Sequence, residues 1–166
     1  MRALVRALSA AVCLLVLVAP AYADCTDPPS PAVEWTRCYF DGRNFSGVNL
    51  AGAHLKDTTF SRGNLQDANF SGADASRAKF IHADLRRAQF DGAELREADF
   101  TNADLRDVSL KGADMSRARL FRADLRGTDL TDAQMRGADL LEANLSGATW
   151  VNGQHVCAEG SIGQCR

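Results

Sequence analysis

The sequence predicts an all-β solenoid built from four-sided coils, because two periods run through most of the chain. Over residues 38–150, nearly every residue whose number is divisible by five is large and apolar, and a small residue, usually alanine, stands two positions before it. The second period is 20 residues, since the run Leu50-Ala51-Gly52-Ala53 recurs in similar form 20, 40 and 60 residues later. A fixed period of this kind is the signature of a repeat architecture and predicts the fold more strongly than the secondary-structure propensities of single residues do.

A period of five fits neither standard secondary structure. In an α-helix, five residues turn by about 500°, so successive apolar positions would spiral around the whole cylinder. In a flat strand, an odd step places successive apolar residues on opposite faces. The large and small residues all face inward only if the chain turns a corner after each short extended segment. Four such segments close one coil of 20 residues, and a tight corner favours glycine, as at Gly52, Gly72, Gly92 and Gly112.

The first 23 residues are predicted to be a signal peptide that is cleaved after Ala23. Arg2 and Arg6 precede the apolar run Ala10–Val18, and Ala21-Tyr22-Ala23 supplies the small residues that a signal peptidase requires. The run is shorter than the roughly 20 residues that span a bilayer; the alternative is a buried N-terminal helix. The mature protein is therefore expected to be periplasmic or secreted, without membrane insertion after cleavage.

The net charge of the chain does not indicate a particular class of binding partner. The chain has 19 basic and 21 acidic residues, and loss of Arg2 and Arg6 leaves 17 − 21 = −4. Such a small net charge does not indicate binding to nucleic acid or to a membrane surface. We therefore expect no nucleic-acid partner.

Both ends of the solenoid are predicted to be capped, because an open coil is a sheet edge that recruits other chains. Residues 24–37 contain Pro28, Pro29, Pro31 and Trp35 and are interpreted as the N-terminal cap. Residues 151–166 are interpreted as the C-terminal cap, which leaves 38–150 as the repeat domain.

The repeat unit resembles that of the pentapeptide-repeat family: alanine, then Asp or Asn, then Leu or Phe, then two variable residues. Ala83-Asp84-Leu85-Arg86 and Ala143-Asn144-Leu145-Ser146 are examples, and the pattern holds for about 23 repeats. The resemblance implies a pentapeptide-repeat solenoid, the right-handed quadrilateral β-helix of that family, and the C-terminal tail is similar to that of exported bacterial members. Arg43 departs from the pattern at an inward position, which predicts an irregular or open first coil.

Four cysteines remain after Cys13 leaves with the signal peptide, and an even number in an exported chain indicates disulfides. A solenoid of five to six coils is roughly 25 Å long at strand spacing, whereas disulfide partners need Cα atoms within about 7 Å. We therefore expect each cap to hold its own pair, Cys25 with Cys38 and Cys157 with Cys165; four free thiols are the alternative. Scattered histidines make a zinc site a poor interpretation.

No catalytic arrangement is recognisable, so the chain is predicted to be neither an enzyme nor a cofactor-binding protein. One column of carboxylates, Asp84, Asp104 and Asp124, is spaced by one coil, as calcium ligands or an acid–base pair would be. A parallel column of Arg86, Arg106 and Arg126 favours the other interpretation, an ion-pair ladder without metal.

Two non-catalytic functions fit the sequence. The first is an exported scaffold that binds a protein, an envelope component or a second copy of itself. The second comes from the resemblance, which implies a DNA-mimic modulator of a type II topoisomerase, DNA gyrase. Mimicry needs an acidic face, but the side from Ala53 to Gly137 carries as many basic as acidic residues: Lys56, Arg77, Arg96, Arg117 and Arg136 against Asp57, Asp74, Glu94, Glu97 and Asp114.

One side of the solenoid is predicted to bind the partner. The residue after each inward centre points outward, and that position is usually polar. Its large apolar occupants are Ile81, Phe121 and Leu141, which the 20-residue period places on a single side. Aligned apolar residues form a contiguous patch, which is typical of contact sites, although exposed apolar residues also occur at random.

Overall fold

The computed structural model describes residues 25–166, so the predicted signal peptide and Asp24 lie outside the described residues. Within 25–166 the chain forms no α-helix, and no segment is a helix that could cross a membrane. The backbone instead repeats a five-residue unit in which two turn residues are followed by a short extended segment. Only the central residue of each segment pairs with a neighbouring segment, so the strands are single-residue bridges.

These bridges establish the register of the coils. They are parallel and join residues 20 apart, from Glu34 with His54 at one end to Asp129 with Thr149 at the other. Each coil contributes four bridged residues, five positions apart, so the bridges lie in four columns. The 20-residue coil with four sides that the sequence predicts is therefore the observed register.

Every corner from residue 32 to residue 147 has the same backbone conformation. The carbonyl of each inward centre accepts a hydrogen bond from the amide three residues on, as Leu50 O does from Ala53 N at 3.1 Å. The second residue after the centre has positive φ, which is the signature of a type II turn. Gly52 has φ 66° as expected, but Asp57 and Arg77 adopt φ 59° and 57° at other corners. The sequence-based association of this conformation with glycine was thus too narrow.

Where Asp or Asn precedes a centre, its side chain stabilises the following corner. Its side-chain Oδ1 accepts a hydrogen bond from the backbone amide two residues on, as Asn69 does from Ser71 at 2.9 Å and Asp139 from Leu141 at 3.0 Å. Asp and Asn favour turns for this reason. The polar residue of the repeat therefore has a structural role.

The core is a stack of side chains from the inward positions. Phe60, Phe80 and Phe100 lie on one side with ring centroids 5.4 and 5.0 Å apart and nearly parallel planes. Phe70 and Phe90 stack at 4.6 Å on the opposite side and meet the first column edge to face. Both geometries are favourable for aromatic pairs, so the core continues from coil to coil without a boundary.

The ends differ from the interior of the stack. Glu34, inside the predicted N-terminal cap, already forms a regular bridge, and the coil around Arg43 keeps its register while the Arg43 side chain is exposed. The expected irregularity of this coil is therefore not found in its pairing. At the other end, Ile162 and Val156 pair antiparallel with Asn144 and Thr149 and cover part of the last coil.

Each end also carries a disulfide. One joins Cys25 to Cys38, with Cα atoms 5.5 Å apart, and the other joins Cys157 to Cys165, with Cα atoms 4.9 Å apart. The first disulfide ties the N-terminal segment to the first coil, whereas the second closes a loop within the C-terminal cap, which backbone hydrogen bonds such as that from Cys157 N to Ala148 O join to the last coil.

Candidate functional site

The outward apolar residues predicted to bind a partner do lie in one column. The amides of Arg62, His82, Asn102 and Arg122 donate to the carbonyls of the next coil at 2.9–3.0 Å, and the accepting residues are Ile81, Thr101, Phe121 and Leu141. We call these four accepting residues the apolar column. The backbone ladder sets its register, so its members are separated by one coil each.

The members of the apolar column differ in exposure. Leu141 is 61% exposed, whereas Ile81 and Phe121 are half-buried. The Arg122 guanidinium lies 4.8 Å from the Phe121 ring centroid and covers part of it. Apolar surface is therefore concentrated toward the C-terminal end of the column.

Sequence reasoning missed one aromatic residue on the same side. Tyr39 stands before the centre Phe40, in the first coil, and is 78% exposed. An aromatic residue at a position that elsewhere in the repeats holds a charged or polar residue was the available signal.

A column of alternating charge runs beside the apolar column. Parallel bridges align Lys79, Asp99, Arg119 and Asp139 in successive coils. Arg119 and Asp99 form an ion pair at 3.5 Å. Lys79 and Asp139 are exposed, and within residues 25–166 neither has an ion-pair partner within 4.0 Å. We call these four residues the charged column.

The predicted carboxylate ladder is present and is paired with arginine. Arg86 donates to both oxygens of Asp84 at 2.9 and 2.7 Å, and the next two coils repeat the arrangement. Arg86 also lies 3.7 Å from Asp104 in the following coil. The hydrogen bond from Arg86 lowers the pKa of Asp84 below its ordinary value. Nowhere in residues 25–166 do three or more metal-binding side chains cluster.

A second set of ion pairs lies at the corners and was missed by sequence reasoning. Arg77 contacts Asp57 at 2.7 Å, Arg87 contacts Asp67 at 2.7 Å, and Arg122 contacts Glu142 at 2.6 Å. Opposite charges 20 residues apart were the signal. These pairs are exposed and each contributes little to stability.

The side considered for DNA mimicry is neutralised by pairing. Arg96 contacts Asp114 at 3.0 Å and also pairs with Glu94, and Arg117 lies 3.6 Å from Glu97. Arginine side chains thus lie beside the carboxylates of this side, so these residues do not form an unbroken acidic surface.

A cavity of about 340 Å³ opens at the N-terminal end of the core. Three aromatic residues, the disulfide-held segment 25–29 and Arg43 line it, and the Arg43 guanidinium lies 5.4 Å from the Phe40 ring centroid. The residue that breaks the repeat pattern therefore lies beside this cavity.

Comparison with known proteins agrees with the repeat. Two family models match: "Pentapeptide repeat region" over residues 47–120 and "Pentapeptide repeats (8 copies)" over residues 113–149. No curated protein sequence matches the chain.

Solved structures of other proteins also match the chain. Rfr23, a pentapeptide repeat protein from the cyanobacterium Cyanothece, is 21% identical with a TM-score of 0.55, over 70% of this chain and 90% of that chain. A pentapeptide repeat protein from the Arabidopsis thaliana thylakoid lumen is 23% identical with a TM-score of 0.45, over 78% and 84%. QnrB1, a plasmid-mediated fluoroquinolone resistance protein, is 20% identical with a TM-score of 0.36, over 78% and 76%. At these identities the likeness concerns the fold alone.

Proposed function

The chain belongs to the pentapeptide-repeat family, and on that premise we propose that it is an exported, non-catalytic scaffold that acts by binding another protein. Its coils wind as the right-handed quadrilateral β-helix of the family. The proposed binding surface is the side that carries the apolar and charged columns. No reaction is assigned to it.

The exposure of Leu141 beside Phe121 is the observation that carries this proposal. The outward positions of the other sides hold mainly charged or small polar residues, many of them in ion pairs or turn-stabilising hydrogen bonds. An apolar residue exposed by 61% in a column with two further apolar residues offers contact area without desolvating a charge. A protein partner matches this surface better than a small molecule, because its apolar residues are spread along four successive coils.

Export is supported by the cysteines. Four cysteines in two pairs at bonding distance suit an oxidising compartment, whereas disulfides are rare in the cytosol. Together with the predicted signal peptide, this favours the periplasm or the extracellular space.

The second candidate, a modulator of DNA gyrase, has less support. It requires an acidic, DNA-like face, and the relevant carboxylates are paired with arginines such as Arg77, Arg96 and Arg117. Retention of the folded mature protein in the cytoplasm would restore this candidate.

The test is the double substitution Phe121→Ser with Leu141→Ser in the mature protein. The matched control is Asp91→Ser with Lys111→Ser, which changes two exposed residues at the equivalent position of the opposite side and leaves the net charge unchanged. Both variants are compared with the parent by melting temperature, oligomeric mass and the proteins captured from envelope extract. We expect only the first variant to lose its bound protein. If it keeps the parent's oligomeric mass and captured proteins, this side is ordinary surface.

A further inference from the structure

Two charges of the charged column form no ion pair within residues 25–166. Asp99 and Arg119, in its two middle coils, pair with each other at 3.5 Å. Lys79 and Asp139, in the two outer coils, are exposed and unpaired within residues 25–166. They are three coils apart, about 14 Å at strand spacing, so they are too distant to pair with each other. A partner that satisfies both must carry a negative and a positive charge at matching separation.

A second copy of the chain has this pattern. Two copies that face each other through this side can be related by a two-fold axis that runs along the strand direction, between the coils of Asp99 and Arg119. This rotation reverses the coil order but keeps the strand direction, so each outward column faces the same column of the other copy. Lys79 then faces Asp139 of the second copy, and Asp99 faces its Arg119. Such an interface is isologous, because each contact occurs twice.

The same rotation also matches the neighbouring positions. In the apolar column, Ile81 faces Leu141 of the second copy, and Thr101 faces its Phe121. At the corner before this side, Glu97 faces Arg117. At the corner after it, His82 faces Glu142. Among these positions the operation places no two like charges opposite each other.

Other arrangements are less complementary. A two-fold axis along the coil axis would place the charged column against the apolar column and leave the charges desolvated. On two of the other sides, the axis along the strands would oppose acidic residues to acidic ones, in the columns of Asp84, Asp104 and Asp124 and of Asp74, Glu94 and Asp114. The fourth side has no apolar column, since its equivalent positions hold Ser71, Asp91, Lys111 and Thr131.

We infer that the partner of this side is a second copy of the chain, packed with its coils in antiparallel order about the level of Asp99 and Arg119. The inference rests on the proposed function and names the partner of the same surface. About four coils overlap in this arrangement, roughly 19 Å of solenoid at strand spacing. That is less than a standard interface, so the dimer is weak and depends on protein concentration.

Charge reversal tests the register. Lys79→Glu places two carboxylates opposite each other in each of two contacts, and Asp139→Lys does the same with two ammonium groups. Each single variant should dimerise about tenfold more weakly than the parent, because two ion pairs become two repulsions. An equimolar mixture of the two variants should recover the parent affinity. In the mixed dimer the two substituted positions face each other with opposite charges, and the second contact is the unchanged pair of Lys79 with Asp139. Sedimentation velocity over a concentration series, roughly 10 μM to 1 mM, measures each affinity.

The control is Lys111→Glu, which makes the same charge change on the opposite side and should leave the dimer unchanged. Because Asp139 also accepts the Leu141 amide, folding of each variant is checked by melting temperature. If Asp139→Lys does not fold, the series Lys79→Gln and Lys79→Glu replaces the mixture and should weaken the dimer stepwise.

Two results would overturn the inference. One is a mature parent that stays monomeric up to the highest concentration; the other is a mixture no more dimeric than the single variants. If either occurs while Phe121→Ser with Leu141→Ser still abolishes capture of an envelope protein, the surface binds a different protein and the proposed function stands.

Discussion

Truncation of two phenylalanines on the same side tests whether inward positions of the repeat contribute more to stability than outward ones. Phe80 is an inward centre, fully buried, with Phe60 and Phe100 stacked 5.4 and 5.0 Å away. Phe121 is the residue after a centre and is half-buried under Arg122. The substitutions Phe80→Ala and Phe121→Ala are chemically identical and differ only in where the ring lies.

The expected losses differ severalfold. Phe→Ala in a core costs about 3–5 kcal/mol, and stacking on two neighbouring rings puts Phe80 in the upper part of that range. Phe121 already exposes part of its ring and leaves no closed cavity, so its truncation should cost about 1 kcal/mol. The difference is large compared with the error of a denaturation experiment.

Urea unfolding of the mature protein, followed by circular dichroism, measures both losses in one background. Solenoids can unfold in stages, so the slopes of the transitions are compared before the midpoints are converted to free energies. The outward placement of Phe121 is refuted if the two variants lose equal stability, and the binding surface would then have to be abandoned.

Three further predictions follow from the sequence and the structure. N-terminal sequencing of the exported protein should begin at Asp24, and a retained Met1 would contradict export. Non-reducing peptide mapping should show one linked pair within each end of the chain, whereas a link between the ends, or complete alkylation without reductant, would contradict the expected pairing of Cys25 with Cys38 and Cys157 with Cys165. Stability should stay nearly constant from about pH 7 to pH 4.5 and fall at lower pH. The hydrogen bonds from Arg86 and Arg77 lower the pKa values of Asp84 and Asp57 below the ordinary 3.8, so their contribution is complete above that value and is lost as pH falls through the folded-state values. A melting temperature unchanged down to about pH 2 would exclude a role for these pairs.

The sequence by itself determined the coil. A large apolar residue recurs every five positions and a motif recurs every 20, and only a four-sided coil buries all of these apolar residues. The observed parallel bridges accordingly join residues 20 apart. Prediction succeeds here because burial of the inward residues depends only on the repeating pattern. The Asp84 and Arg86 columns were likewise predictable, because equal positions in successive coils must be neighbours.

Only the tertiary structure decided the features that depend on a particular neighbour. The shielding of Phe121 depends on the conformation of Arg122, and the corner pair of Arg122 with Glu142 depends on two long side chains meeting across a coil boundary. The first bridge at Glu34 and the antiparallel pairing of Ile162 lie at ends where no further repeat dictates the contact. A periodic pattern specifies which side chains enter the core, but exposure at the surface and pairing at the ends depend on contacts that the period does not contain.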